Sequence, residues 1–301
     1  MKILLIGASG QLGGDILRNN REHEIIAPGR DRLDLGNSAQ VESLVRETAP
    51  DMVINCAAFH NVPLCEEKPD QAFLINCAGV GRLAAVCRQI DAELVTFSSD
   101  YVFGGDEAKR TPYLESDPPW PLQIYGISRA AGEFAAYANA PDHAITIRTC
   151  GLYGRSGAKS KGGNFVDNRV ADALAGKTLD MACEQVVGPT STDDLSRAVL
   201  ELIAHPERKP GIYHLVNEGE CTWYDLTKAI FEAFNPKAEV RPVDRKGRTG
   251  SMRRPLYSVL ANTKARELRI VMPAWRDALH RYLLSKYPEK RPNPEKTLPS
   301  Q

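Results

Sequence analysis

The seven cysteines (56, 65, 77, 87, 150, 183 and 221) contain no CxxC pair, and several sit in apolar runs such as Val53-Ile54-Asn55-Cys56-Ala57. Their scatter points away from disulfides or a metal and toward reduced core thiols in a cytoplasmic protein. The six histidines also lack ligand spacing, so no metal site is expected. Asp15, a lone acid on the first predicted helix, reads as a solvated surface residue. Charge of one sign is missing as well. Thirty-eight basic residues balance thirty-eight acidic ones, which leaves no global field to draw nucleic acid or an anionic membrane. No apolar run approaches the ~20 residues that span a bilayer. The first such run, Ile3 to Ile6, passes straight into a glycine loop, unlike a secretory leader. Internal repeats are absent.

What is present is strand–helix alternation. At 301 residues, 43% of them hydrophobic, the chain can bury one large core or two smaller ones. Strands are expected at Lys2–Ile6, Glu24–Ala27, Met52–Asn55, Glu93–Ser98 and Ala144–Arg148. Helical patterns lie between them at Gln11–Asn20, Ser38–Thr48, Pro69–Ile90 and Ile124–Asn139. Ser38 suits an N-cap and Pro69 a first helical turn. Such alternation predicts an α/β fold, a doubly wound parallel sheet of the Rossmann type.

After Gly154 the rhythm breaks. A Gly/Lys/Ser loop (Arg155–Gly163) precedes a predicted helix at Asn164–Leu174. Pro189 to Asp194 caps another helix, and a strand at Gly211–Val216 and a helix at Thr222–Ala233 follow. This gives a dinucleotide-binding domain over 1–151, rejoined by about 190–216. A smaller C-terminal substrate-binding lobe takes 152–189 and 217–287. The polar, proline-rich 288–301 is expected to be a disordered tail.

Gly7-Ala8-Ser9-Gly10-Gln11-Leu12-Gly13 directly follows the first strand and opens the first helix. Glycines there permit a tight turn and close backbone approach to a pyrophosphate, and the helix start supplies free N–H groups. After the second strand comes Arg30, where an acid would select NAD through a ribose hydroxyl. A guanidinium suits a 2′-phosphate, so NADP is expected, NADPH being preferred over NADH. Asp34 and Leu35 then border the adenine, and Cys56, Ala57 and Ala58 lie close to the cofactor.

Ser99 ends a buried strand, where its side chain meets the crevice. Tyr125 and Arg129 share one face of a helix at i, i+4. A tyrosine with pKa of about 10 needs help to act near neutral pH, and an adjacent cation lowers that value. Ser99 can bond a substrate carbonyl while Tyr125 delivers its proton. Arginine supplies charge but cannot relay a proton.

At these residues the sequence resembles the dTDP-4-dehydrorhamnose reductase family, within the extended short-chain dehydrogenase/reductases. The matching stretches are GASGQLG (7–13), NCAAFHNVPLCE (55–66), SSDYVFGG (98–105), YGISR (125–129), IRTCGLYG (147–154), GGNFV (162–166), EQVVGPT (184–190) and RRPLYSVLANTK (253–264). The resemblance covers about residues 1 to 285. It implies NAD(P)H-dependent reduction of the 4-keto group of a dTDP-6-deoxysugar, a small-molecule sugar nucleotide. By position, Ser99 takes the place of a threonine, Tyr125 is the acid and Arg129 takes the place of a lysine. Asn76 is implied near the cofactor, and Tyr101, Asn164 and Arg254 on the sugar-nucleotide side. Gly151 replaces a tryptophan and Pro63 an aspartate. Three readings stay open: the reductase, a cofactor-binding regulatory subunit without turnover, and an extended-family reductase or epimerase of another sugar nucleotide. The assembly stays open between monomer and homodimer.

Overall fold

The computed structural model describes residues 1–156, 163–249 and 252–290. Its centre is a six-stranded sheet. In chain order come β1 (Lys2–Ile6), β2 (Glu24–Ile26), β3 (Met52–Asn55), β4 (Glu93–Ser99) and β5 (Ala144–Thr149), with Gly211–His214 as the last strand. Across the sheet the order is Gly211–His214, β5, β4, β3, β1, β2, every pairing parallel. The chain leaves β1 for β2 on one side and then β3 on the other. That reversal opens a crevice at the carboxyl ends of the strands, the place where sheets of this kind bind ligands.

Helices cover both faces. They are α1 (Gln11–Asn19), α2 (Ser38–Thr48), α3 (Val62–Glu67), α4 (Pro69–Phe73), α5 (Val80–Gln89) and α6 (Ile124–Asn139). The central strands read as unbroken apolar runs because both faces are buried. Ile3 and Leu5 of β1 pack with Ile16 of α1 and with Leu195, Val199 and Leu202 of the helix Thr192–Ala204. Leu4 and Ile6 turn the other way, toward Val41 of α2 and Leu83 of α5. Each such fully buried side chain contributes roughly 1.5–3 kcal/mol. The later helices Phe165–Leu174, Trp223–Phe234 and Trp275–Lys286 share a third cluster built on Val166, Ile230 and Leu279. Thr222 and Asp225 close a reciprocal capping box on the second of them.

Several expectations change in detail. The cap of α2 is Asn37, whose side chain accepts from the Ala39 and Gln40 amides, so Ser38 is already helical. The helical stretch predicted at Pro69–Ile90 is three pieces: α4, a π-helical turn at Leu74–Gly79, and α5. The strand predicted to reach Val216 ends at His214. Pro288–Lys290 forms a 3₁₀ turn, while 291–301 and most of the predicted loop (157–162) lie outside the described residues.

Asp15 overturns its expectation. It is fully buried, accepting from Arg18 Nη1 at 2.6 Å and from Thr192 Oγ1 at 2.6 Å. The second partner is distant in sequence, which is why a solvated acid was the natural expectation.

Candidate active site

The glycine loop sits at the crevice. Gly7 has φ +81, and a Cβ there would come 2.9 Å from the Ala57 amide nitrogen. At Gly13 a Cβ would overlap the Gly7 carbonyl oxygen. The three chain segments meeting here therefore need glycine at both places. Gly10 is the N-cap of α1 but offers no side-chain cap, and no acid occupies the first turn. The helix thus begins with free N–H groups and no competing negative charge. Gln11 Oε1 is buried there without a partner among the described residues. Ser9 is exposed and Leu12 buried. These features fit a dinucleotide pyrophosphate.

Arg30 stands out from the loop after β2, its side chain 81% exposed, with Nε bonded to Asp34 Oδ2 at 3.0 Å. Asp34 also accepts from the Gly36 amide at 2.8 Å, and that bond above all holds its carboxyl below the usual range. Leu35 is buried beneath them. Cys56, Ala57 and Ala58 follow β3 and are half-buried along the crevice.

Asn76 lies inside the fold, behind the segment that follows β3. It is 1% exposed, and its amide is committed to the Phe59 amide (2.8 Å), the Phe59 carbonyl (2.9 Å) and Ser128 Oγ (3.0 Å). The π-helical turn aims it there. It clamps the segment after β3 to α6.

Ser99 closes β4, opposite Thr149 of β5. Its hydroxyl accepts from the Tyr101 amide at 3.1 Å and donates to Asp100 Oδ1 at 2.8 Å. Tyr125 stands in the first turn of α6, close enough to Ser99 and Arg129 for both to act on its phenol. Burial pushes its phenol above the ordinary value, although Arg129 and Ser99 pull it down. The adjacent cation alone would lower the phenol, but in this protein desolvation outweighs it. Arg129 is 5% exposed, and its Nε has no partner among the described residues.

Asp100 received no role from the sequence, yet it knits the site together. Besides Ser99 it accepts from Ser258 Oγ at 2.6 Å and Cys150 Sγ at 3.1 Å. Burial pushes its carboxyl up. Its position inside a recognised stretch was the available signal; Ser258 and Cys150 were not foreseeable as its donors.

On the sugar side, Arg254 Nη1 donates to the Tyr101 hydroxyl at 2.7 Å. The Tyr101 ring meets Tyr125 edge-on at 6.1 Å, and burial raises its phenol to about 12. Arg254 also lines a cleft of about 500 Å³ with Arg110, Lys246, Glu184 and Leu256. Asn164 is not in this group. It is 3% exposed, caps its helix through the Asp167 amide, and donates to the Gly154 carbonyl at 2.9 Å and Tyr282 Oη at 2.8 Å. Among the described residues its amide is engaged within the lobe. Gly151, at φ +54, is bordered by Trp223, whose Cη2 would lie 3.5 Å from a Cβ there.

A parallel sheet with a glycine loop at its switch point and a Ser–Tyr–Arg frame above β4 defines a Rossmann-type protein of the short-chain reductase class. Residues 1–287 match the model of the RmlD substrate binding domain family, and the chain belongs to that family. Among its relatives is the spore coat polysaccharide biosynthesis protein SpsK of Bacillus subtilis, 36% identical over 94% of this chain and 96% of that protein. A dTDP-4-dehydrorhamnose reductase of Clostridium acetobutylicum superposes with a TM-score of 0.85 at 35% identity, covering 94% of this chain and 98% of the other. The Bacillus anthracis dTDP-4-dehydrorhamnose reductase, solved in complex with NADP, gives 0.87 at 31% identity over 94% and 99%.

Proposed function

We propose that this protein is an NADPH-dependent reductase of a nucleotide-linked 4-keto-6-deoxysugar, with a dTDP-4-keto sugar as its substrate. The observation that carries the reading is the Ser99–Tyr125–Arg129 arrangement at the crevice of a sheet whose glycine loop is built for a pyrophosphate. The similar NADP-bound reductase of Bacillus anthracis supports the choice of cofactor. Residues 1–151 with 190–216 would hold the cofactor, and 152–189 with 217–287 the sugar nucleotide.

The Gly7–Gly13 loop and the start of α1 would hold the pyrophosphate, and Arg30 the 2′-phosphate. The cofactor, when bound, supplies a hydride to the sugar carbonyl carbon. Tyr125 delivers its proton to the carbonyl oxygen, and its raised pKa keeps that proton in place until the oxygen becomes basic. Ser99, whose hydroxyl donates to Asp100 here, would turn that hydrogen to the sugar carbonyl when substrate binds. Arg129 stabilises the phenolate left behind. Arg254, with Arg110 and Lys246 of the same cleft, would meet the diphosphate.

The same reading takes a homodimer as the working assembly. Both charges of α6, Arg129 and Glu133, are buried, which leaves an uncharged outer face where Ile127, Phe134 and Tyr137 stand exposed. No helix among the described residues is long and apolar enough to cross a membrane. With all seven cysteines free, the cytoplasm is the proposed compartment.

The test is loss of NADPH absorbance with a dTDP-4-keto-6-deoxysugar generated in place. Tyr125→Phe should lower kcat by about 100-fold or more while NADPH still binds. Full activity in that variant would end the mechanism. A parent that binds NADPH without turnover would favour a regulatory role.

A further inference from the structure

Tyr125, Arg129 and Glu133 follow one another at single-turn intervals on one face of α6. An arginine and a glutamate four residues apart on a helix ordinarily attract each other. Among the described residues Glu133 pairs elsewhere. Arg148 of β5 takes both of its oxygens, Nε to Oε1 at 2.9 Å and Nη2 to Oε2 at 2.7 Å. Both side chains of that pair are almost wholly buried. Arg129 meanwhile keeps its buried Nε without a partner.

Arg148 is itself fixed. Its guanidinium lies 4.9 Å over the Phe103 ring, and Nη1 stands 3.4 Å from His214 Nε2. Burial, aided by Arg148, pushes His214 down to about 3. A neutral histidine brings no charge to compete for Glu133. Of the four groups, Glu133 and Arg148 cancel and His214 is neutral. The net positive charge is therefore left at Arg129.

We propose that Arg148 and Glu133 are positioning residues for the reduction: Arg148 withholds Glu133 from Arg129, so that Arg129 stays uncompensated beside Tyr125. The proposal rests on Tyr125 being the acid. It also accounts for how arginine can stand at a position where the family pattern has lysine. A guanidinium next to a free carboxylate would be captured by a bidentate pair, and here that carboxylate is already held bidentately by another arginine. The other groups facing Tyr125 are Ser99, Asp100, Cys65 and the edge of Tyr101. The variants below leave all of these unchanged.

The readout is the titration of Tyr125, taken as phenolate absorbance relative to Tyr125→Phe in each background, alongside the alkaline limb of kcat. Arg148→Met releases Glu133 to Arg129, and Tyr125 should then titrate about 1 pH unit higher. Arg148→Lys, which leaves one Glu133 oxygen open, should shift it the same way by less. Arg148→Met with Glu133→Gln removes the competitor and should return the titration to the parent value. A purely structural pair would lower stability in the single variants without moving the limb. An unmoved titration in Arg148→Met overturns the proposal, as does a shift that persists in the double variant. If Arg148→Met does not fold, Arg148→Lys decides against the double variant: a titration no higher than the latter's is the overturning result. The phenolate measurement needs no substrate. A parent without turnover would thus end the reductase reading, and with it the role in reduction, whereas an unmoved titration in an active parent overturns this proposal alone.

Discussion

At the scale of single residues, placement depends on whether a side chain's partners are near in sequence. Ser99, Tyr125 and Arg129 come from short contiguous stretches and lie together where β4 ends and α6 begins. Arg30 also faces outward as its loop position implied. Its guanidinium keeps both terminal nitrogens clear of the Asp34 contact, which uses Nε. Arg30→Ala should therefore raise the Kd for NADPH roughly tenfold, the worth of one charge-assisted contact of ~1.5 kcal/mol. The Kd for NADH should hardly move, and fluorescence titration of both cofactors reads the difference. Equal losses for the two would remove Arg30 from the 2′-phosphate. Asn164 and Asn76 show the opposite case. Their positions in recognised stretches were visible, but the partners that spend their amides, Tyr282 for one and Phe59 for the other, come from packing that local patterns do not encode.

At the scale of elements, the strands were easier to read than the helices against the site. β3 and β5 are buried throughout, and a short β-branched run with both faces covered has few other solutions. The segment 69–90 was legible as helical but not as α, π and α in succession. Its irregular turn is fixed by a neighbour, since Gly132 of α6 lies so close to Asn76 that a Cβ would overlap the Asn76 carbonyl oxygen. A second glycine, Gly126, lies equally hard against the Tyr101 carbonyl. Through these two contacts α6 is seated on both the π turn and the Ser99–Tyr101 turn, with Tyr125 next to the second and Arg129 between the two. Gly132→Ala should force the helix outward. Overpacking of this kind costs about 1–3 kcal/mol, so a lower Tm is expected. Because Tyr125 and Arg129 move with the helix, kcat should fall as well in protein that is still folded. A variant with a lowered Tm and parental kcat would show that α6 tolerates the displacement.

At the scale of the whole molecule, the buried charges tie the last strand to the helix that carries Tyr125. Glu133 of α6, Arg148 of β5 and His214 of the final strand form one chain of contacts beneath the crevice. His214 is fully buried, bonded through Nδ1 to the Ala261 carbonyl at 3.1 Å. Its depressed pKa makes fold stability depend on pH. Between the ordinary value of 6.5 and about 3, the unfolded chain binds a proton at this residue and the folded chain does not. Stability from this source is thus complete above that window and declines as pH falls through it. At pH 5 the loss comes to about 2 kcal/mol. Other groups titrate over the same range, so the measurement is a comparison of denaturant midpoints at pH 7 and 5 in the parent and in His214→Asn. Asparagine can donate to the Ala261 carbonyl but takes up no proton. It should be the less stable protein at pH 7, with a penalty that narrows by roughly 2 kcal/mol at pH 5. A penalty equal at both values would mean that His214 becomes protonated within the fold. The neutral partner assigned to Arg148 would then be a second cation pressed against the first.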